Sequence, residues 1–132
     1  MNNFETLTVA RNFQIQVGSC GSGIVSQVIA HTDDCIVCRA DMTLEDLLID
    51  FRLNDNPEFV PSVFARAMME GTTITLEDFD LLNDDLQFML INAFESGIMA
   101  FNSTSPIYEC VFNADAIHIA HGFRAVGTIT RN

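Results

Sequence analysis

The segment HTDDCIVC, at positions 31–38, brings one histidine and two cysteines close together in the chain. Imidazole and thiolate groups are common zinc ligands in proteins. The candidate metal ligands are therefore His31, Cys35 and Cys38, with a fourth ligand from elsewhere. The two apolar residues between the cysteines are typical of a strand, however, which sends side chains three positions apart to opposite faces. We therefore predict buried thiols and no bound metal, with a zinc site and a disulfide as the alternatives.

A glycine-rich segment, GSCGSG at positions 18–23, lies between two apolar runs. A dinucleotide-binding unit has such a loop after a strand and before a helix, and Asp41 would then be the acidic residue that holds a ribose. Here the glycines are spaced GxxGxG instead of GxGxxG, the residues after them are β-branched, no second βαβ unit follows, and the chain has no lysine. We therefore predict that the segment is a turn between two strands, and we expect no cofactor.

The sequence contains neither of the catalytic motifs GxSxG and HExxH. The two histidines of HIAH, at positions 118–121, face opposite ways if this segment is a strand. A cysteine–histidine nucleophile pair could use any of the four cysteines, and nothing nearby favours one of them. We therefore predict no catalytic residue and no enzymatic activity.

The chain is strongly acidic, with a net charge of −12, although 48% of its residues are hydrophobic. Such a charge repels nucleic-acid phosphates and anionic membranes and attracts basic protein surfaces. A solvated acidic face that keeps the protein in solution accounts for the same composition. The carboxylates that would contact a basic partner are Asp41, Glu45, Asp46, Asp50, Asp55, Glu58, Glu77, Asp78, Asp80, Asp84 and Asp85.

Three successive sequence patterns predict the elements that position these residues. Residues 4–40 alternate polar and apolar side chains or form short β-branched runs, which predicts a meander of strands. Residues 43–100 have the apolar spacing of three or four helices, and residues 106–130 return to the strand pattern. The expected fold is a single α+β domain over 1–132. Its N-terminal meander and C-terminal strands form one mainly antiparallel sheet, with the central helices packed on it.

Two of the central helices are predicted to begin at the same motif. TLED occurs at positions 43–46 and 75–78, where the hydroxyls of Thr43 and Thr75 are suited to capping a first turn. A shorter helix between them is expected to have Pro61 in its first turn and Gly71 at its end.

The large apolar fraction of so short a chain indicates surfaces that a neighbouring subunit covers. We therefore expect a non-enzymatic structural or interaction subunit that binds itself or other protein subunits. Such a subunit would suit a bacteriophage or other viral particle, as a component of its tail, neck or baseplate. A small acidic inhibitor that mimics nucleic acid against a basic partner is the second hypothesis. A small enzyme that uses a cysteine or a metal is the third.

The expected location follows from two further features of the sequence. No apolar run is long enough for a membrane-spanning helix, and the first residues lack the pattern of a secretion signal. We expect the cytoplasm, or a particle assembled there, with no direct binding to nucleic acid or membrane.

Overall fold

The computed structural model describes residues 4–19, 34–101 and 105–131. In chain order the described elements are β1 (Phe4–Ala10), β2 (Phe13–Ser19), β3 (Cys35–Val37), α1 (Leu44–Leu48), β4 (Ile49–Arg52), β5 (Glu58–Pro61), α2 (Val63–Glu70), β6 (Thr73–Glu77), a 3₁₀ turn (Phe79–Leu81), α3 (Asp84–Ser96), β7 (Ile98–Ala100), α4 (Pro106–Phe112), β8 (Ala116–His118) and β9 (Arg124–Arg131).

A five-stranded sheet forms the centre of the fold, in the order β1-β2-β9-β6-β3. β1 pairs antiparallel with β2, whereas β2, β9, β6 and β3 all run in the same direction. The fold is therefore α/β with a mixed sheet, and the predicted α+β fold with a mainly antiparallel sheet is wrong. The hydrophobic pattern of a strand reports which of its faces are covered, and it does not report the direction of the neighbouring strand.

The two TLED segments fold differently. The Thr43 hydroxyl accepts the N–H of Asp46 at 3.2 Å, and the Asp46 carboxylate accepts the N–H of Thr43 at 3.0 Å, so this copy caps α1 as predicted. Thr75 instead lies fully buried in the middle of β6, and the next helix begins at Asp84 after an Asn83 cap. The second helix start was therefore wrong, because the TLED motif is a local signal and the β-branched residues Thr73, Ile74 and Thr75 favour a strand.

The limits of α2 are set by local hydrogen bonds and one glycine. The Ser62 hydroxyl accepts the N–H of Ala65 at 3.0 Å, and Gly71 ends the helix in the left-handed conformation, with φ 81°. The predicted end at Gly71 is confirmed. Pro61, which was expected in the first turn, is the last residue of β5.

α4 occupies positions where a strand was expected. Pro106 is at its start, the Ser105 hydroxyl accepts the N–H of Ile107, and Asn113 ends the helix in the left-handed conformation. The alternation of polar and apolar residues here is also compatible with a short helix that exposes one side. The Ser–Pro pair is the local signal that favours a helix start.

The centre of the core is a group of phenylalanine rings from different elements. The Phe13 ring of β2 contacts Phe79 of the 3₁₀ turn and Phe94 of α3 edge to face, at centroid distances of 5.0 and 5.1 Å. Phe64 of α2 contacts Phe94 at 6.0 Å. A Cβ atom at Gly127 of β9 would lie 3.2 Å from the Phe13 ring. These contacts fix the chain after β6 against β2 and β9.

Two short hairpins, β4–β5 and β7–β8, lie outside the main sheet. On the first, Phe51 and Phe59 are cross-strand partners with ring centroids 4.9 Å apart, and both side chains are half exposed. Among the described residues, no helix combines the length and the apolar character needed to cross a membrane.

Candidate functional site

Four parallel strands end at one edge of the main sheet, which we call the carboxyl edge. It is marked by Ser19 of β2, Arg131 of β9, Glu77 of β6 and Val37 of β3. Ser19 is the register partner of Arg131, and Val37 is that of Glu77. In open α/β sheets, ligands bind outside the carboxyl ends of the strands, where the strand order reverses. The carboxyl edge is therefore the candidate functional site.

The strand order reverses at β2. From β2 the chain re-enters the sheet at β3, and β6 and β9 then fill the two positions between them. Gly18 and Ser19, the last two residues of β2, begin the glycine-rich segment GSCGSG. Positions 20–33 lie outside the described residues, and with them the predicted turn and the candidate ligand His31. The described strands place the start of the glycine-rich segment at the carboxyl edge.

Glu77 and Asp78 are the carboxylates at the end of β6. Both residues are partly buried, and Asp78 has a left-handed backbone with φ 56°. The Asp78 N–H donates to the Oγ1 atom of Thr128 at 3.2 Å, and Thr128 is fully buried in β9. A left-handed backbone is unfavourable for a residue other than glycine, and strain of this kind occurs at functional sites. The Thr128 hydroxyl thus ties the acidic end of β6 to the strand beside β2.

Cys35 and Cys38 lie close to this acidic pair. Burial raises the pKa of Cys35 to about 12, and the carboxylate of Glu77 adds to the increase through a hydrogen bond and its charge. Burial also raises the pKa of Cys38 to about 12, with contributions from Asp78, Cys35, Asp80 and Glu77. Both thiols are free, so they are protonated and weakly nucleophilic at neutral pH. The part of the chain that the structure describes contains no cluster of three His, Cys, Asp or Glu residues that could hold a metal ion.

The predicted partner-binding carboxylates are spread over several elements. Asp46 already has a structural role, because it closes the cap of α1. Whether any of them binds a partner stays a prediction. They divide into Glu77, Asp78 and Asp80 at or just after the end of β6, Asp84 and Asp85 in the first turn of α3, Asp50, Asp55 and Glu58 in the β4–β5 hairpin, and Asp41, Glu45 and Asp46 around the start of α1.

The six arginines all lie in the described ranges and are unevenly placed around the sheet. Arg11 and Arg124 lie at the opposite edge, where β2 and β9 begin. Arg39 follows β3, and its side chain pairs with the Asp41 carboxylate at 3.4 Å in a solvent-exposed contact. Arg131 is the last residue of β9, so its backbone position is at the carboxyl edge beside β2.

One protein family matches most of the chain. The AAA domain (dynein-related subfamily) matches residues 25–131. The chain belongs to this family. Comparison with the curated proteins finds no match. The AAA match starts at Val25, after the glycine-rich segment has ended at position 23, and it includes β6, β9 and the carboxylates of the carboxyl edge.

Membership of the AAA domain family corrects the predicted function. AAA domains are nucleotide-binding domains of the ATPase type. The prediction of a non-enzymatic structural subunit, with its viral particle and its acidic-inhibitor alternative, is therefore wrong, and so is the prediction of no enzymatic activity. The structural-subunit prediction relied on the apolar excess, and the prediction of no enzymatic activity relied on the absence of known catalytic motifs. Much of that excess is interior, since the middle of β6 is fully buried and the phenylalanine core joins β2 to α2 and α3.

The glycine-rich segment precedes the residues of the AAA match, and its spacing also resembles a second phosphate-binding motif. P-loops have the pattern GxxxxGK[ST], in which backbone N–H groups hold the α- and β-phosphates, the lysine reaches the β- and γ-phosphates, and the hydroxyl binds Mg²⁺. Positions 18–25, GSCGSGIV, have both glycines at this spacing after a strand. Ile24 takes the place of the lysine, and Val25 that of the serine or threonine. The sequence analysis compared the segment only with the dinucleotide fingerprint GxGxxG. It therefore did not identify the P-loop spacing of Gly18 and Gly23, although the sequence contains it.

The residues of the carboxyl edge fit a nucleotide and Mg²⁺ in part. P-loop proteins use a strand-end aspartate to hold Mg²⁺, and Glu77 and Asp78 supply carboxylates of this kind. The lysine and the hydroxyl are absent at positions 24 and 25. Burial is the main cause of the raised pKa values of Cys35 and Cys38, and the neighbouring carboxylates add to it. The loop itself therefore offers no side-chain cation to the β- and γ-phosphates.

Proposed function

We propose that this chain is a nucleotide-binding module of the ATPase type, which takes the phosphates of a nucleotide at the carboxyl edge. The observation that carries this proposal is the strand order. It brings Gly18 and Ser19, which end β2 and begin the glycine-rich segment, to the same edge of the sheet as Glu77 and Asp78 at the end of β6. The family match over residues 25–131 supports the proposal independently.

The proposal assigns a separate task to each part of the edge. Backbone N–H groups of positions 18–25 bind the α- and β-phosphates, as P-loop spacing implies. Glu77 and Asp78 hold Mg²⁺, which when bound neutralises phosphate charge. Thr128 keeps Asp78 in place through the 3.2 Å hydrogen bond to its N–H. The end of β6 is thereby held against β9 before a nucleotide binds.

Equilibrium binding of fluorescent ADP and ATP derivatives, with and without Mg²⁺, tests this assignment. We expect saturable binding that Mg²⁺ strengthens, and we expect Glu77→Gln/Asp78→Asn to lose the Mg²⁺ effect. Asp84→Asn/Asp85→Asn is the matched control, because it removes two carboxylates from the exposed start of α3 and keeps the carboxyl edge intact. Phosphate release from ATP is measured in the same samples, with a higher rate expected in Ile24→Lys/Val25→Thr than in the natural sequence.

Two results contradict the proposed function. One is the absence of saturable binding of either nucleotide, with or without Mg²⁺. The other is an equal Mg²⁺ effect in the two double variants, because Glu77 and Asp78 would then have no role that distinguishes them from the exposed carboxylates of α3.

The partners and the location of this module are also proposals. Contact with a second copy of the chain, with other protein subunits or with a basic protein surface stays a prediction, which sedimentation at low and high salt tests. We propose the cytoplasm as its location. The free thiols of Cys35, Cys38 and Cys110 support a reducing compartment.

A further inference from the structure

β1 is an outer strand of the main sheet, and one of its sides is open. It pairs with β2 on one side, and no described strand pairs with it on the other. All five residues from Glu5 to Val9 are exposed, with Leu7 at 49% and Val9 at 37%. The backbone N–H and C=O groups on the open side of β1 therefore offer hydrogen bonds to another extended chain.

The two outer strands of the sheet differ in how well they are protected from such pairing. β3, on the other side of the sheet, has only three residues, and a short outer strand limits pairing with another chain. β1 has seven residues, contains neither lysine nor proline, and is rich in threonine and aliphatic side chains. We propose that β1 pairs antiparallel with β1 of a second copy of this chain, so that the two sheets join into one. This inference goes beyond the proposed function and does not depend on nucleotide binding.

A bulge near the end of β1 sets the register of this pairing. The ladder with β2 is regular up to Thr8 and shifts before Ala10. A bulge bends a strand out of its ladder, so the straight part of β1 is the segment 4–8, which is centred on Thr6. Two-fold antiparallel pairing about this centre places Thr6 opposite Thr6 of the second copy, and Glu5 opposite Leu7 of the second copy.

The charges of β1 are compatible with a second β1 in this register. Glu5 is the one charged residue of the strand, and it lies opposite an aliphatic side chain and not opposite the other Glu5. Threonine pairs directly opposite each other stabilise a ladder, whereas like charges directly opposite destabilise it. The net charge of −12 opposes association of two copies at long range, so we expect salt to strengthen the dimer by screening this repulsion.

A second copy also has an entropic advantage over a flexible peptide as the partner. Its β1 is already extended and hydrogen-bonded to β2, with a matching length and twist. Pairing therefore orders little additional chain, whereas a disordered peptide loses conformational entropy when it adds to a sheet. Two short strands bury less surface than a standard interface of about 1,600 Å², so we expect a weak, concentration-dependent dimer.

Sedimentation velocity of Leu7→Glu and Leu7→Lys tests this register through the sign of one charge. In Leu7→Glu each copy places a carboxylate opposite Glu5 of the other, and we expect the dimer dissociation constant to rise about 3- to 30-fold. In Leu7→Lys each copy places an ammonium group there, and we expect a dissociation constant equal to or lower than that of the natural sequence. Val37→Glu and Val37→Lys are the matched controls, because Val37 of β3 is 51% exposed and receives the same charges on the other side of the sheet. At about 0.15 M salt, where the Debye length is about 8 Å, we expect both controls to stay within about twofold of the natural sequence.

Amide hydrogen exchange of the natural sequence gives a second readout that needs no variant. Pairing protects backbone N–H groups, so exchange in β1 should slow as the protein concentration rises from about 5 to about 500 µM. Exchange in β3 should not depend on concentration, because β3 takes no part in the proposed contact.

Three results overturn this inference. The first is a monomer over the whole concentration range. The second is a Leu7→Glu variant that does not associate more weakly than Leu7→Lys by more than the two Val37 variants differ, because net charge would then explain the change. The third is concentration-dependent protection that excludes β1, which would place the contact on another surface. The absence of nucleotide binding would overturn the proposed function and leave the β1 contact standing.

Discussion

Two glycines that end helices offer a matched pair of substitutions, Gly71→Ala and Gly97→Ala. Gly71 ends α2 with φ 81°, and Gly97 ends α3 with φ 85°. Both alanines would have to adopt the left-handed conformation, at a similar cost of about 1 kcal/mol. Any difference between the two variants in the free energy of unfolding therefore reports the space around the added Cβ atom.

That space differs sharply between the two sites. At Gly97 the nearest atom is the end of the flexible Arg11 side chain at 3.6 Å, so the Cβ atom fits. At Gly71 the Cβ atom would lie 2.4 Å from the backbone oxygen of His121, so the backbone must move. The hydrogen bond from the Ala120 N–H to the Met68 oxygen, at 2.8 Å, joins these same two segments and would be strained or lost.

Equilibrium urea denaturation measures the difference. We expect Gly97→Ala to lose about 1 kcal/mol, from the left-handed conformation alone. We expect Gly71→Ala to lose about 2–4 kcal/mol, because overpacking adds about 1–3 kcal/mol to that cost. A loss in Gly97→Ala that equals or exceeds the loss in Gly71→Ala would refute the reasoning, since conformational strain would then explain both.

Three further predictions concern the site and the core. Thr128→Val removes the acceptor of the Asp78 N–H and is expected to lower the free energy of unfolding, measured by urea denaturation, by about 1–3 kcal/mol. Thr128→Ser keeps the hydroxyl and is the control. An equal or larger decrease in Thr128→Ser would contradict a role for the hydrogen bond. Phe94→Ala is expected to lower the free energy of unfolding by about 3–5 kcal/mol, because the ring is fully buried against Phe13. Phe88→Ala on the same helix is the control. Its ring is 66% exposed, so the free energy of unfolding should change by less than about 0.5 kcal/mol. In a Cys20→Ser background, alkylation at pH 8 should modify the exposed Cys110 before Cys35 and Cys38, whose pKa values are raised from 9.0 to about 12. Alkylation of Cys35 as fast as Cys110 would contradict the argument that burial protects Cys35. Because Cys35 and Cys38 stay protonated in the fold and ionise above about pH 9 when unfolded, the free energy of unfolding should fall as the pH rises from about 9 towards 12.

Features that depend on a few neighbouring residues could be predicted from the sequence. The cap of α1 needs only Thr43 and Asp46, three positions apart, and the end of α2 needs only the left-handed conformation of Gly71. The glycine spacing of positions 18–25 and the absence of lysine are equally local. What failed was the interpretation of Thr75, because the motif TLED, which caps α1, occurs here at the end of a strand rich in β-branched residues.

The arrangement of the sheet depends on contacts between residues far apart in the chain. β2 pairs with β9, so that Phe13 lies beside Ala125, and nothing in either segment states the direction or the partner of the pairing. The mainly antiparallel sheet was predicted for this reason and was wrong. Parallel pairing is what gathers the ends of β2, β9, β6 and β3 at one edge.

The sequence by itself determined the helix caps, the acidic charge and a P-loop spacing that lacks its lysine and hydroxyl. Only the tertiary structure decided that Glu77 and Asp78 belong to the same edge as this segment, and that Arg131 lies in register with Ser19. The physical reason is that a cap is formed within one turn of chain. A site at the edge of a parallel sheet instead exists only when strands more than a hundred residues apart, such as β2 and β9, pair through long-range hydrogen bonds and a shared core.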